Sequence, residues 1–160
     1  APLWLRVYEA ACTGDDARVV RWNDELLATR ETAELRAETL QMGGSLLRVF
    51  PALALQEPRL PGATYPAAFA TACAQLGIAR DIGLAAYLWA WAENQVLVAM
   101  KTVPLGQQAG QTMLHRMHKS VQRAVETAAA LGDDELGSAP LGLALQSARH
   151  ETQYSRLYRS

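Results

Sequence analysis

The sequence predicts an all-α protein, a single-domain bundle of about seven helices that spans residues 1–160. Two patterns lead to this prediction: apolar residues recur at three- and four-residue steps, and β-branched residues never alternate over the length of a strand. In addition, 50% of the 160 residues are hydrophobic, which suffices for one substantial core. The net charge of −1 gives no overall field that would favour nucleic acid or an anionic membrane.

The start of the chain and the two cysteines indicate the setting. The opening residues "APLWLRVYEA" contain no initiating methionine, no basic region and no signal-type apolar core, so we expect the chain to begin inside a longer protein. Cys12 and Cys73 lie far apart and lack C-x-x-C spacing, which predicts neither a disulfide framework nor a zinc module. A reducing, cytoplasmic location fits this usage best.

The first two helices are predicted from their ends. Pro2 suits a first helical position, and a helix to about Cys12 would end at Gly14. Asp15 or Asp16 can then cap a second helix. Its apolar residues recur at helical steps and predict one buried stripe: Val19, Val20, Trp22, Leu26 and Leu27.

The third helix is predicted over residues 31–50, with Thr32 as its cap. Gly43 and Gly44 interrupt it, and each glycine inside a helix costs roughly 1 kcal/mol relative to alanine. The pair therefore indicates either a kink or the close approach of another backbone, and we favour the close approach.

A loop and a short helix follow. Four prolines and a glycine between Pro51 and Pro66 predict a loop, which we interpret as a connector inside one bundle rather than a boundary between domains. A fourth helix is predicted from about Ala67 to Leu76, with Gly77 as its end.

The fifth helix, residues 81–104, is apolar nearly all round its circumference and is predicted to lie in the middle of the bundle. A membrane span is excluded, because Glu93, Asn94, Gln95 and Lys101 interrupt the segment and each charge costs about 2.5–3.5 kcal/mol at mid-bilayer. Glu93 and Lys101 are separated by about 12 Å along the axis. They are interpreted either as charges at an exposed edge or as a polar line along an interface or channel.

The sixth helix is predicted from Gly106 to about Leu131. Arg116, Lys119 and Arg123 form a basic strip on it, at i, i+3 and i+7. Such a strip is usually a solvated face, and the alternative is a helical regulator that binds nucleic acid through it. A seventh, short helix from about Pro140 to Arg149 is predicted to dock on the bundle through four residues: Leu141, Leu143, Ala144 and Ala148.

Histidines offer the only metal candidates. His115 and His118 lie at i, i+3 and resemble two ligands of a nickel or zinc site, but the local sequence supplies no third donor. An alternative is therefore a small helical metalloprotein or enzyme that uses His115, His118 and His150.

Motifs for catalysis are absent from the sequence. The segment "GQQAGQ" at residues 106–111 lacks the lysine of a phosphate-binding loop, and neither a nucleophile elbow nor an H-E-x-x-H motif occurs. No catalytic residue is assigned, which favours a binding module over an enzyme.

Three stretches resemble the urease accessory protein F family. They are "RETAELRAE" at residues 30–38, "WAENQVLVAMKTVPLGQQAGQ" at residues 91–111 and "SARHETQYSRLYRS" at residues 147–160. The resemblance extends from roughly Leu3 to Ser160, and the last stretch is close to the C-terminal signature of the family. Family members usually begin with a segment containing a motif like L-P-V-G-G-F-S-Y, which has no counterpart here.

The resemblance implies an all-helical scaffold or chaperone, typically a homodimer, that is not itself an enzyme. It would join the urease accessory proteins D and G and assist GTP-dependent delivery of nickel to apo-urease, with protein G as the GTPase that it regulates. It implies no tightly bound cofactor, and any contact with nickel is expected to be transient. Neither nucleic acid nor a membrane is expected as a partner.

The C-terminal tail, residues 149–160, is predicted to be a docking arm. Three arginines and one glutamate give it a charge of +2, whereas the other 148 residues sum to −3. Arginine and tyrosine favour interface hot spots and carboxylate-binding forks. The alternative is a tail that packs on its own bundle. The predicted partner-binding residues are Arg149, His150, Glu151, Thr152, Gln153, Tyr154, Ser155, Arg156, Leu157, Tyr158 and Arg159.

A second surface is predicted from the resemblance, within the family-matched stretch at residues 91–111, where the fifth helix ends and exposes its terminal carbonyls. It would face a partner or a second copy of the chain. The alternative is a satisfied corner between two helices, in which Pro104 stops one helix and Gly106 permits the turn. The predicted residues are Gln95, Lys101, Pro104, Gly106, Gln107 and Gln108.

Overall fold

A computed structural model describes residues 1–137 and 140–154. Within these ranges the chain forms seven α-helices and two short 3-10 turns, and it has no strand. The helices are α1 (Pro2–Cys12), α2 (Asp16–Ala28), α3 (Ala33–Leu47), α4 (Tyr65–Gln75), α5 (Arg80–Thr102), α6 (Gln107–Ala130) and α7 (Leu141–Glu151), and the 3-10 turns are Phe50–Leu53 and Asp133–Glu135. The all-α prediction is confirmed.

The helix ends follow the local signals of the sequence. The Asp15 carboxylate accepts a 3.0 Å bond from a backbone N–H in the first turn of α2, and the Thr32 hydroxyl accepts one of 3.3 Å in α3. Gly14 and Gly77 follow α1 and α4 in the left-handed region, each with φ of 66°. Glycine tolerates this conformation because it has no Cβ. The predicted caps and stops are therefore confirmed.

Helix α4, rather than α5, lies at the centre of the bundle. It packs chiefly on α1 and α3 and also touches α2 and α5. Small side chains allow these helices to approach closely, so α4 buries most of its length. Its buried residues are Pro66, Ala67, Ala68, Ala70, Thr71, Ala72 and Cys73. The prediction that α5 occupies the middle was wrong.

Aromatic rings fill the core where α1, α4 and α5 meet. Trp4 is fully buried, and its ring stacks on Tyr8 and Tyr87 with centroids 5.5 Å and 6.3 Å away. Tyr65 and Phe69 from α4 pack on Tyr87 at 5.8 Å and 5.7 Å. These contacts fix the amino-terminal half of α5 against the bundle.

The connector between α3 and α4 is held by two close contacts that identify it as part of the bundle. A Cβ added to Gly43 would overlap the carbonyl oxygen of Ala63, whereas Gly44 faces open space. The buried Asn23 side chain donates to Gly62 O at 2.9 Å and accepts from Thr64 N at 2.9 Å. Close approach at Gly43 is confirmed, and the role of Asn23 was not predicted.

Helix α6 runs back along α5. Polar contacts with α1 are made just after the carboxyl-terminal end of α6. The Arg6 guanidinium donates to the Asp133 carboxylate at 2.5 Å and to Leu131 O at 2.6 Å. We use the term body for α1–α4 together with the beginning of α5 and the end of α6, which pack on them. Across residues 1–137 and 140–154, no helix combines the length and apolarity that crossing a bilayer requires.

Candidate protein-interaction surfaces

The outer part of the α5–α6 pair, residues 91–118, extends beyond the body; we call it the distal hairpin. Helix α5 has 23 residues and α4 has 11, which corresponds to about 34 Å against about 16 Å. The α5 residues packed in the main core end at Leu88. Farther along α5, the buried residues are Ala92 and Val96. The distal hairpin therefore depends mainly on contacts between its own two helices.

Gly110 allows the two helices of the distal hairpin to pack closely. A Cβ at this position would lie 3.4 Å from Val96 and would overlap the sulfur of Met100. Helix α5 ends at Thr102, and the backbone turns through residues 103–106 before α6 begins. Gly106 precedes α6 as a cap residue without a side-chain hydrogen bond.

The distal hairpin exposes large apolar side chains on α5. Trp91 is 52% exposed, Leu97 48% and Val98 42%. Val103 at the turn and Met113 on α6 are exposed as well. Single exposed apolar residues are ordinary, but a concentration of them on one projecting element is typical of an interaction surface. The sequence had predicted that α5 buries these residues inside the bundle, which was wrong.

All six residues of the second predicted surface lie in the distal hairpin and are exposed. Five of them fall within residues 101–108, around the turn, and the sixth, Gln95, lies on α5. Pro104 and Gly106 occupy the corner between α5 and α6, as the alternative interpretation also required. The position is compatible with both interpretations, and the partner-binding role stays a prediction.

Helix α7 is attached to the beginning of α3 by polar contacts. The Thr32 and Ser147 hydroxyls are 2.8 Å apart, and His150 Nδ1 lies 2.6 Å from a carboxylate oxygen of Glu34. The Glu151 carboxylate accepts from Ala33 N at 2.7 Å, where it also faces the positive end of the α3 dipole. His150 and Glu151 of the predicted arm are therefore engaged by their own chain.

The apolar docking predicted for α7 was wrong. Helix α7 buries none of its residues, with Leu141 68% exposed and Leu143 55% exposed. Ala148 is also exposed, and only Ala144 of the predicted four is partly covered. The contacts of α7 with α3 are made by polar side chains, and the leucine side chains of α7 are exposed to solvent.

The rest of the predicted docking arm lies at the end of the described chain. Arg149, Thr152, Gln153 and Tyr154 are exposed, and Thr152 donates its hydroxyl to Arg149 O at 2.9 Å. Five residues of the prediction lie outside the described residues: Ser155, Arg156, Leu157, Tyr158 and Arg159. The docking role of the arm stays a prediction.

The candidate metal ligands are exposed on α6. The His118 ring lies edge-on to Trp89 with centroids 6.5 Å apart, and His115 is exposed one turn earlier. Across residues 1–137 and 140–154, no three His, Cys, Asp or Glu side chains lie close enough together to hold a metal ion. His150 contacts Glu34 instead.

A groove of about 830 Å³ between α5 and α6 was not predicted from the sequence. Ile82, Trp89 and Val121 contribute to its apolar lining, and Glu93 and Glu126 are among its acidic residues. Small residues at Ala85, Ala86 and Ala90 were the available signal, because they leave room beside a neighbouring helix. The basic strip lies exposed on α6.

Comparison with known proteins identifies the family. The UreF family model matches residues 1–118. The urease accessory protein UreF of Azoarcus sp. (strain BH72) is 47% identical over 169 residues, which cover 100% of this chain and 72% of the relative. Its counterpart from Cupriavidus necator is 48% identical over 170 residues (100% and 74%), and that of Chromohalobacter salexigens is 44% identical over 164 residues (99% and 70%). The expected resemblance is confirmed: this chain belongs to the UreF family of urease accessory proteins.

Proposed function

We propose that this chain is a non-catalytic scaffold of urease maturation. It joins the urease accessory proteins D and G in the cytoplasm and assists the GTP-dependent insertion of nickel, the cargo, into apo-urease. The observation that carries the proposal is identity of 47% across the whole chain with a protein named as a urease accessory protein. The scaffold acts as a homodimer and regulates when protein G hydrolyses GTP.

The distribution of exposed side chains supports a scaffold. A protein that holds two different partners needs separate surfaces, and interfaces are enriched in aromatic and arginine side chains. The distal hairpin offers Trp91 and Leu97, while the arm offers Arg149 and Tyr154, and all four are exposed. We assign the arm to protein D, because arginine and tyrosine favour interface hot spots and carboxylate-binding forks.

The assignment of GTP chemistry to protein G agrees with the start of α6. A phosphate-binding loop needs a lysine that reaches the β- and γ-phosphates. The segment "GQQAGQ" at this position contains none. The missing lysine supports a proposal in which protein G, and not this chain, hydrolyses GTP.

Deletion in a complete urease operon tests this function. Urease is produced together with the other accessory proteins in two strains, one that contains the gene for this chain and one that lacks it. The enzyme is then purified from both strains. We expect urease activity and the nickel content of the enzyme to fall together in the deletion strain and to return when the chain is supplied again. Normal activity and normal nickel content without the chain would contradict the proposal. Size-exclusion chromatography of the co-expressed proteins checks whether D, G and this chain elute together.

A further inference from the structure

The groove between α5 and α6 combines an apolar lining with two acidic side chains. Its volume is about 830 Å³, and apolar residues of both helices make up most of its lining, among them Trp89 and Val121. Ile82, at the end of the groove near the body, is 65% exposed. Glu93 on α5 and Glu126 on α6 also line the groove. The groove therefore offers apolar area and negative charge together.

The two acids lie near opposite ends of the groove. Trp89 on α5 and His118 on α6 have ring centroids 6.5 Å apart, which places them at the same level. Glu93 lies four residues beyond Trp89, away from the body, and Glu126 lies eight residues beyond His118, towards it. At 1.5 Å per helical residue, the two offsets add to about 18 Å. This length corresponds to about three turns of a helix.

Neither acid is matched in the part of the chain that the structure describes. The ion pairs found there do not include Glu93 or Glu126. Asp81, a third acid of the groove, is held by Arg80 at 3.0 Å. Among the described residues, no lysine or arginine lines the groove. A partner that covered the groove with apolar side chains alone would remove water from two unpaired carboxylates, which costs free energy.

We propose that this groove binds an amphipathic helix of a partner protein, with a basic residue at each end of its apolar stripe. Helices commonly bind in such grooves through apolar side chains at helical spacing. Ala85, Ala86 and Ala90 leave room for the backbone of a third helix beside α5. The separation of Glu93 and Glu126 requires lysine or arginine residues about eleven positions apart in the partner, because eleven residues make about three turns and return to the same face.

The spacing of the acids favours such a partner over a second copy of this chain. The basic strip of α6 is an exposed basic helix face that a second copy offers. Arg116 and Arg123 at its ends are only seven residues apart, or about 10 Å, which is shorter than the separation of Glu93 and Glu126. Lys119 and Arg123 also border a smaller hollow beside Glu126 on their own helix. A helix with more widely spaced basic residues matches the two acids better.

A synthetic helix tests the groove in the full chain. The probe is a fluorescein-labelled peptide with two lysines about eleven residues apart on one helix face and two leucines between them. A second peptide of the same composition carries its lysines on the opposite face. Fluorescence anisotropy should show saturable binding of the probe, with an affinity about tenfold higher than that of the second peptide. Equal affinities of the two peptides, or no binding of the probe, would overturn the inference.

Substitutions in the groove show whether the probe binds there. Glu93→Lys and Glu126→Lys should each raise the dissociation constant of the probe about fivefold, because attraction becomes repulsion at one end. Glu38→Lys, at an exposed position on α3, is the control. Ala86→Trp fills the groove from an exposed position and should abolish binding, whereas Ala37→Trp on α3 should leave it unchanged. An unchanged constant in any of the three groove variants would contradict binding in the groove.

The oligomeric state of Ala86→Trp distinguishes the partner helix from a second copy. We expect analytical ultracentrifugation to give the same association behaviour for this variant and for the unchanged chain. Loss of self-association would mean that a second copy covers the groove, and the proposal would be wrong. The groove is separate from the arm and from the turn at residues 103–106, so the inference goes beyond the proposed function. Failure of the peptide tests in a chain that urease maturation requires would refute the groove alone.

Discussion

The body and the distal hairpin both carry large apolar side chains on helices, but the two regions use these side chains in opposite ways. In the body, Trp4 and Phe50 are fully buried. In the distal hairpin, Trp91 and Leu97 are about half exposed, although the helical period of the sequence is the same. The difference shows that helical periodicity predicts which apolar residues share one face of a helix. It does not predict whether the same chain or another molecule covers that face.

The largest effect on stability is expected from one substitution made in both regions. Trp4→Ala removes a fully buried ring from the core and should lower the free energy of unfolding by about 3–5 kcal/mol. Trp91→Ala should lower it by at most about half as much, because about half of that side chain is already exposed to water. Chemical denaturation at a concentration at which the chain is monomeric measures both values. Equal losses would contradict the distinction between body and distal hairpin.

Two neighbouring glycines in α3 test how closely the α3–α4 connector packs against this helix. Gly43→Ala places a Cβ into the carbonyl group of Ala63 and should destabilise the protein by about 1–3 kcal/mol. Gly44→Ala is the control, since it faces open space and alanine favours a helix by up to about 1 kcal/mol. Thermal unfolding of the two variants should therefore shift in opposite directions. A shift of the same sign and size would mean that the α3–α4 connector does not approach Gly43.

Helix α7 is attached by polar contacts. A substitution that weakens these contacts should therefore destabilise the protein less than a change in the core and more than a change at an exposed position. Glu151→Gln removes the negative charge at the beginning of α3 and should lower the stability by about 0.3–1 kcal/mol. Glu31→Gln, an exposed change close to the same helix end, serves as the control. Unfolding curves in low and high salt measure the difference, which should shrink as salt screens the charge. A difference that is independent of salt would exclude the dipole contribution.

Removal of the end of the arm should leave stability unchanged and affect only assembly. A chain that ends at Glu151 keeps the contacts of His150 and Glu151 with α3. We expect it to lose association with accessory protein D in a pull-down while its helical circular dichroism stays the same. Retained binding of accessory protein G provides the control for folding. Normal recovery of protein D by the shortened chain would refute the docking arm.

Lys101→Glu should have the smallest effect on stability, because the side chain is exposed and has no ion-pair partner among the described residues. It should nevertheless weaken urease activation in cells, which the release of ammonia from urea reports. Lys119→Glu on the basic strip serves as the control, because it makes the same change of charge at another exposed position. Full activation with Glu at position 101 would exclude a functional role for this residue.

Local features could be predicted from the sequence, whereas long-range ones could not. Asp15 and Thr32 cap helices through bonds to residues three positions away, so their roles are visible in a short window. Asn23 bonds to Gly62 and Thr64, which are 39 and 41 residues away, and its role emerged only with the fold. Those bonds depend on the path of a connector that composition does not specify.

The sequence indicated part of the candidate surface, whose partner-binding role stays a prediction. The residues around the turn at 101–108 were selected by the family resemblance, and the structure places them on the distal hairpin. The central helix was misidentified, because a strongly apolar helix was expected inside and an alanine-rich one was not. Alanine contributes little apolar surface itself but lets neighbours approach, a property that appears only when the packing is known.

The attachment of α7 has a consequence for how readily this element changes place. Since no residue of α7 is fully buried and Ala144 is only partly covered, leaving α3 exposes little apolar surface of α7 to water. The groups released on both sides are hydroxyls, carboxylates, an imidazole and the backbone N–H of Ala33, and water can hydrate all of them. Of the seven described helices, α7 is therefore the one that can be relocated with the least disturbance to the others.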